Sequence, residues 1–292
     1  MFSIFRQRCS YWAEATGNQR LFARLLKRIR FLLPPLRNVG AICCVVFIAP
    51  ALAQQAITTT KPKSGIEFAG ADIRAMQADD FANPGMLWVA RGEKLWSTPA
   101  GRNNKACASC HQEAASSMKG VAARYPRIDT ATGKVINIEG RINTCRERNQ
   151  AADRLQYESE DLLALTAYVA HQSRGMPVAV VADAANRPHL ERGHEIYSRR
   201  QGQMNLACVN CHEQNAGRKL LAETISEGHG NAYPAYRLEW QATGSLHRRL
   251  RACYYGVRAA MPAFGSDELL DLELYLARRA TGLTVETPGV RR

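Results

Sequence analysis

Residues 208–212 read Cys208-Val209-Asn210-Cys211-His212, and residues 107–111 read Cys107-Ala108-Ser109-Cys110-His111. Cys-x-x-Cys-His is the attachment signature of c-type haem. Two thiols one helical turn apart can add to the two vinyl groups of one porphyrin. The adjacent His then presents its imidazole to the iron as proximal ligand. A zinc half-site or a redox dithiol would account for one copy. Two copies, in a chain that opens like an exported protein, point to two covalently bound haem c groups held by Cys107 and Cys110, and by Cys208 and Cys211.

Working outward, the motifs sit inside a longer repeat. Arg91-Gly92-Glu93-Lys94-Leu95-Trp96 precedes the first and Arg192-Gly193-His194-Glu195-Ile196-Tyr197 the second, with each Gly 15 residues before its first Cys. Tyr125-Pro126 and Tyr233-Pro234 follow. Each copy closes on a Ser with the look of an N-cap, Ser159 or Ser266, before two acidic residues and an apolar stripe. Leu162, Leu165 and Val169 share one helix face, as do Leu269, Leu272 and Leu276. The pattern predicts an all-α fold of two tandem cytochrome c-like domains, each around one haem. Residues 66–172 and 189–292 are the expected domains, with 173–188 as linker.

The chain of 292 residues carries 39 Lys and Arg against 26 Asp and Glu, a net charge of +13. Much of that excess lies at the start. Residues 1–38 are basic, with Glu14 as the lone acid, and an apolar run from Val39 to Leu52 ends in Ala51-Leu52-Ala53. This reads as a signal peptide over 1–53, followed by a flexible tail over 54–65, and predicts a periplasmic protein. The apolar run is short for a membrane span, though an uncleaved anchor is the competing reading. Cleavage after Ala53 leaves 31 basic and 25 acidic residues, a net +6. No aromatic-plus-basic tract points to nucleic acid. Cleavage also removes Cys9, Cys43 and Cys44, leaving six cysteines in an oxidising compartment.

Two of those six, Cys145 and Cys253, lie outside the attachment motifs. Tyr125 to Cys145 and Tyr233 to Cys253 are both 20 residues, so the repeat pairs the two thiols. Between residues 127 and 158 there is neither His nor Met, and Cys145 is the one strong soft donor. A distal role for both cysteines follows from that pairing. A Cys145–Cys253 disulfide and a buried inert thiol are the alternatives. In the second half Met261-Pro262-Ala263-Phe264-Gly265 resembles the Met-ligand loop of ordinary cytochromes c, so spacing alone leaves Cys253 and Met261 both open. Read as a helix, Leu246, Leu250, Cys253 and Val257 share one face, and Arg249 lies one turn before Cys253. A guanidinium or an iron beside a thiol favours thiolate, and the same guanidinium offers an anion site.

At this point the chain resembles a known family, SoxA, the larger subunit of the SoxAX cytochromes of bacterial sulfur oxidation. The two Cys-x-x-Cys-His motifs carry the resemblance with three further segments. These are Ile142-Asn143-Thr144-Cys145-Arg146 with Asn149-Gln150, Ala170-His171-Gln172-Ser173-Arg174-Gly175-Met176-Pro177, and Cys253-Tyr254-Tyr255-Gly256-Val257-Arg258-Ala259. Dihaem cytochrome c peroxidases share the gross layout but not these segments. The resemblance implies His111 and Cys145 as axial ligands of haem 1, and His212 and Cys253 of haem 2. It implies Cys253 as the catalytic residue, open to persulfide formation, and Arg249 as a substrate contact. The reaction implied is oxidative conjugation of thiosulfate to a cysteine of the SoxYZ carrier, an L-cysteine S-thiosulfotransferase activity. Electrons would leave through the haems to SoxX, a monohaem cytochrome c partner. A dihaem electron carrier without cysteine chemistry, using Met261, is the alternative.

Overall fold

Gly92 and Gly193, set 101 residues apart, make two close helix crossings possible. A Cβ on Gly92 would run into the carbonyl oxygen of Ala164, and one on Gly193 into that of Asp271. Tyr168 and Tyr275 flank the two crossings at matching places. The same contact is therefore built twice, by the same residue type, from two segments of one chain.

The computed structural model describes residues 61–292. In chain order its helices are α1 (Ala71–Ala78), α2 (Met86–Ser97), α3 (Ala108–His111), α4 (Ala114–Ser117), α5 (Ile138–Cys145) and α6 (Glu160–His171). Then come α7 (Arg187–Ser198), α8 (Cys208–His212), α9 (Leu246–Gly256) and α10 (Asp267–Arg279). Helix α2 crosses α6 over Gly92, and α7 crosses α10 over Gly193. Ser159 and Ser266 cap α6 and α10 by accepting the Leu162 and Leu269 N–H groups, both at 3.4 Å. The acids of each first turn, Glu160 and Asp161, then Asp267 and Glu268, face the positive end of the helix dipole. Leu162, Leu165 and Val169 are buried, and so are Leu269, Leu272 and Leu276.

Each half has a small apolar core of its own. Trp96, Ala114 and Val169 form one; Ile196, Tyr197, Leu250, Tyr254, Leu269, Leu272 and Leu276 form the other. A third core joins them, in which Ala123 and Val135 meet Leu270, Leu274, Leu283 and Val285. Val178 and Val180, within the expected linker, are buried in that shared core. The Val178 N–H donates to the Leu283 carbonyl and the Ala179 N–H to the Ala123 carbonyl, so this stretch stitches the halves together. Thr59–Arg292 accordingly form one compact unit.

The short strands are an addition to the all-α expectation. They are β1 (Arg127–Ile128), β2 (Val135–Ile136), β3 (Lys219–Leu220), β4 (Glu223–Thr224), β5 (Ala235–Arg237), β6 (Ala242–Gly244) and β7 (Gly289–Arg291). Three antiparallel pairs are local hairpins, and β7 joins β5 in parallel to complete the sheet β6-β5-β7. Runs of two or three residues are too short for an alternating pattern to register. Of the expected signal peptide and tail, residues 1–60 lie outside the described residues. Ser64, inside the expected flexible tail, is buried, hydrogen-bonded to Glu286 and accepting from Asn231 Nδ2 at 3.0 Å, so the end of that stretch is docked on the fold. Among the described residues no helix is long and apolar enough to cross a membrane.

Candidate active site

Each distal cysteine rides on a helix whose start is fixed by a cap. Asn137 Oδ1 accepts the Gly140 N–H at 2.9 Å ahead of α5, and Ser245 Oγ accepts the Arg248 N–H at 3.1 Å ahead of α9. The far end of each helix is fastened to the turn before the matching Cys-x-x-Cys-His. Arg102 and Asn103 donate N–H bonds to the Ala151 and Gln150 carbonyls; Gln203 and Met204 donate to those of Arg258 and Val257. Gly101 and Gly202, at φ 65° and 68°, make the turns, and a Cβ on either would press on the Gln150 or Val257 carbonyl. Local hydrogen bonding thereby sets each distal cysteine against its own motif.

In the first half Cys107, Cys110, His111 and Cys145 all line one cavity of about 310 Å³. Trp96, Ile138, Leu165 and Val169 give it apolar walls, while Arg124, Arg127, Arg141 and Arg146 also reach it. Apolar walls suit a porphyrin face, guanidinium groups suit its propionates, and the paired thiols suit thioether attachment. The donor set fits haem c. Trp96 braces the proximal side, with its ring 5.8 Å from that of His111 and its Nε1 donating to the Gln112 carbonyl at 2.9 Å.

In the second half the donor set converges too. His212 Nδ1 donates to the Ser226 carbonyl at 2.7 Å, which fixes the tautomer and leaves Nε2 free. Gly228, at φ 75°, lies flat against the ring, where a Cβ would strike it. The His212 imidazole lies beside the Cys253 thiol. These residues would suit a second haem c, with Cys208 and Cys211 for attachment and His212 and Cys253 as candidate iron donors.

The thiols differ in chemistry. Burial raises the pKa of Cys107, Cys145 and Cys211 and pushes Cys208 up to about 11. For Cys253 burial acts in the same direction, but the Arg249 guanidinium and the neighbouring His212 ring outweigh it and bring the thiol down to about 7. Arg249 has a counterpart in Arg141, also four residues before its cysteine. Arg141 is committed to Asp129, with Nη2 to Oδ1 at 2.7 Å, and it holds that carboxyl below its ordinary range. Among the described residues no carboxylate pairs with Arg249. In the sequence Arg249 stands out by its offset of four from Cys253; the same offset marks Arg141 before Cys145, while its pairing with Asp129 needs the fold.

The rival donors fall elsewhere. Met261 is 47 % exposed, and its loop turns toward the other half, with Phe264 stacked on Tyr157 at 6.2 Å. Arg251 donates to the Pro262 carbonyl and lies over the Phe264 ring, holding the loop there. All six described cysteines are free thiols, so Cys145 and Cys253 are not bridged to each other.

Comparison with known proteins agrees with this geometry. The family model for the SoxA/TsdA cytochrome c domain matches residues 91–178, so the chain contains a cytochrome c domain. The chain is 46 % identical, over 78 % of its length and 80 % of the relative's, to L-cysteine S-thiosulfotransferase subunit SoxA of Pseudaminobacter salicylatoxidans. It is 39 % identical to the SoxA subunit of Rhodovulum sulfidophilum, over 85 % of this chain and 86 % of the relative. The crystal structure of SoxXA from P. pantotrophus superposes with a TM-score of 0.77 at 38 % identity, covering 79 % of this chain and 87 % of that one. Identity at this level, spread over four-fifths of each molecule, carries more than a shared cytochrome fold: the chain belongs to the SoxA family.

Proposed function

We propose that this chain is the haem-binding subunit of an L-cysteine S-thiosulfotransferase, with Cys253 as its reacting sulfur. Thiosulfate is joined oxidatively to a cysteine of a SoxYZ carrier, and the electrons pass to a SoxX cytochrome. The carrying observation is the meeting of Arg249, Cys253 and His212, in which an unclaimed guanidinium holds a buried-side thiol near neutrality.

The overall change is thiol plus thiosulfate to S-thiosulfonate, with loss of one proton and two electrons. Arg249 binds the dianion and orients its sulfane sulfur toward Cys253. A charge-assisted hydrogen bond of this kind contributes about 1.5–3 kcal/mol. Cys253 as thiolate forms the S–S bond with that sulfane sulfur, and two electrons are released. The carrier thiolate then attacks the same sulfane sulfur, taking the thiosulfonate and returning Cys253 as thiolate. Haem c, when bound, supplies one-electron acceptors, so two of them, or two passes through one, take up the pair. His212 is kept in the donor tautomer by the Ser226 carbonyl, and His111 is braced by Trp96. A persulfide at Cys253 fits the same lowered pKa, since it stores a sulfane sulfur at that position.

This reading assigns one haem to Cys107, Cys110, His111 and Cys145 and a second to Cys208, Cys211, His212 and Cys253. It treats 66–172 and 189–292 as two cytochrome c-like domains and residues 1–53 as a signal peptide for the periplasm. Cys253→Ala tests the chemistry: thiosulfate-dependent modification of the carrier should be abolished, and retained turnover defeats the assignment. Intact mass of the mature wild-type protein should show two haems, with any extra sulfur atom mapping to Cys253.

A further inference from the structure

Glu139 and His247 occupy the same place in the two halves: they differ by 108 positions, as do Cys145 and Cys253. Each lies in the first turn of its distal-cysteine helix, Glu139 in α5 and His247 in α9. Both are buried, His247 to 1 % exposure, and both meet Glu273 of α10. His247 Nδ1 accepts the Gly265 N–H at 3.2 Å, so the ring proton sits on Nε2, 2.9 Å from Glu273 Oε2. Asn137 Nδ2 donates to the same Glu273 oxygen at 3.1 Å. Glu273 thus pairs with the imidazole, and Glu139 stands buried in the field of both, between the halves.

The cluster borders a cavity of about 80 Å³, walled by Glu139 and Thr166 from the first half and Glu273 from the second. Thr166 Oγ1 is buried without a hydrogen-bond partner among the described residues. Tyr125 and Ile138 line this cavity and the first-half haem cleft alike. On the other side, Tyr233 lines the cavity and lies in the field of Arg249. The charged groups around the cluster are few. Tyr157 stacks on His247 at 5.8 Å and donates to Asn137 Oδ1 at 3.3 Å, with Arg154 in its field. Glu158 accepts the Ser245 N–H and is 3.9 Å from Arg248.

We propose that Glu139, His247 and Glu273 act as one group with an exchangeable proton, a positioning element whose charge both distal-cysteine helices feel, so that proton uptake there accompanies haem reduction. Three ionised members carry a net negative charge, and one added proton cancels it. Burial, and after it the Glu273 charge, raises the Glu139 carboxyl to about 7, in the range where such a proton exchanges. The electrons come from the conjugation reaction, and the proton comes from solvent. An ionised cluster favours ferric over ferrous iron. Haem midpoint potentials should therefore fall as the cluster loses its proton.

The inference rests on haem being bound at both motifs. Optical redox titration of the holo two-subunit complex, at intervals from about pH 5.5 to 8.5, tests it. Glu139→Gln should remove a step in the pH dependence near neutrality and leave the potentials at their low-pH values. His247→Gln deprives the carboxylates of their cation and should move that step to higher pH. Propionates and other haem-linked groups titrate alike in all three proteins, so the difference isolates the cluster. A pyridine haemochrome count below two per chain in the wild type would sink the assignment of both haems. Two haems with superimposable pH profiles in wild type and Glu139→Gln would overturn the proton coupling alone.

Discussion

A thiol that is half-buried and yet titrates near 7 needs a cation that no carboxylate has already claimed. Arg249 meets that condition and Arg141 does not, although each stands one turn before a distal cysteine. Replacing Arg249 with Gln should raise the Cys253 pKa and remove the anion contact together. The expected loss in kcat/KM for thiosulfate is about 10- to 150-fold, from a hydrogen bond to a charged group of ~1.5–3 kcal/mol. The pH profile should shift to the alkaline side, and Arg249→Lys should recover part of both. An unshifted profile would mean that Arg249 does not tune the thiol. At Arg141 the complementary change is Asp129→Asn, which leaves that guanidinium without its 2.7 Å partner. A new uncompensated positive charge beside the first cleft should raise the haem 1 midpoint potential while carrier conjugation persists. Redox titration of the variant reads this directly. Four of the six described cysteines, with His111 and His212, were legible from spacing alone, because haem attachment is a local motif. The inequality of Arg141 and Arg249 was not, because Asp129, in the turn of the β1–β2 hairpin, is brought to Arg141 only by the fold.

At the scale of elements, two glycines decide how close the paired helices come. Extra bulk at a packed crossing costs about 1–3 kcal/mol. Gly193→Ala should cost at least that, since its Cβ would meet the backbone oxygen of Asp271 rather than a side chain that can swing away. Gly92→Ala should behave alike against Ala164. Equilibrium denaturation of each variant checks this, and a wild-type midpoint would show that the crossings relax. Helices α6 and α10 at these crossings were readable from the sequence because each carries an N-cap, an acidic first turn and an apolar stripe of 3.6 periodicity. Strand β7 was not, because its partner β5 lies some fifty residues away and three residues carry no periodicity. The expected linker was misjudged for a related reason. Val178 and Val180 alternate toward a core supplied by α10 and the segment after it, which local sequence does not reveal.

Across the whole molecule, the buried charges between the halves should make stability fall as pH rises. Glu139 has its carboxyl raised from 4.5 to about 7, first by burial and then by the Glu273 charge. A folded-state pKa above the unfolded one means a contribution that is complete below about 4.5 and lost as pH climbs through 7. For His247 burial pulls the pKa down, but the Glu273 carboxylate 2.9 Å away prevails and raises it above 6.5. Its contribution is likewise present below that value and lost above its folded pKa. The two shifts therefore act in the same direction. Carboxylates such as Asp129, whose pKa is lowered by Arg141, act oppositely and only in more acidic solution. Glu139→Gln keeps the shape of the side chain and cannot ionise. Its stability relative to wild type should grow from about pH 4.5 upward and level off above 7. Denaturation midpoints of the holo-proteins at about pH 5 and pH 8 measure the difference. Equal midpoints at both would show that Glu139 ionises freely inside the fold, and that the two halves meet across a wet seam instead of a shared, proton-holding core.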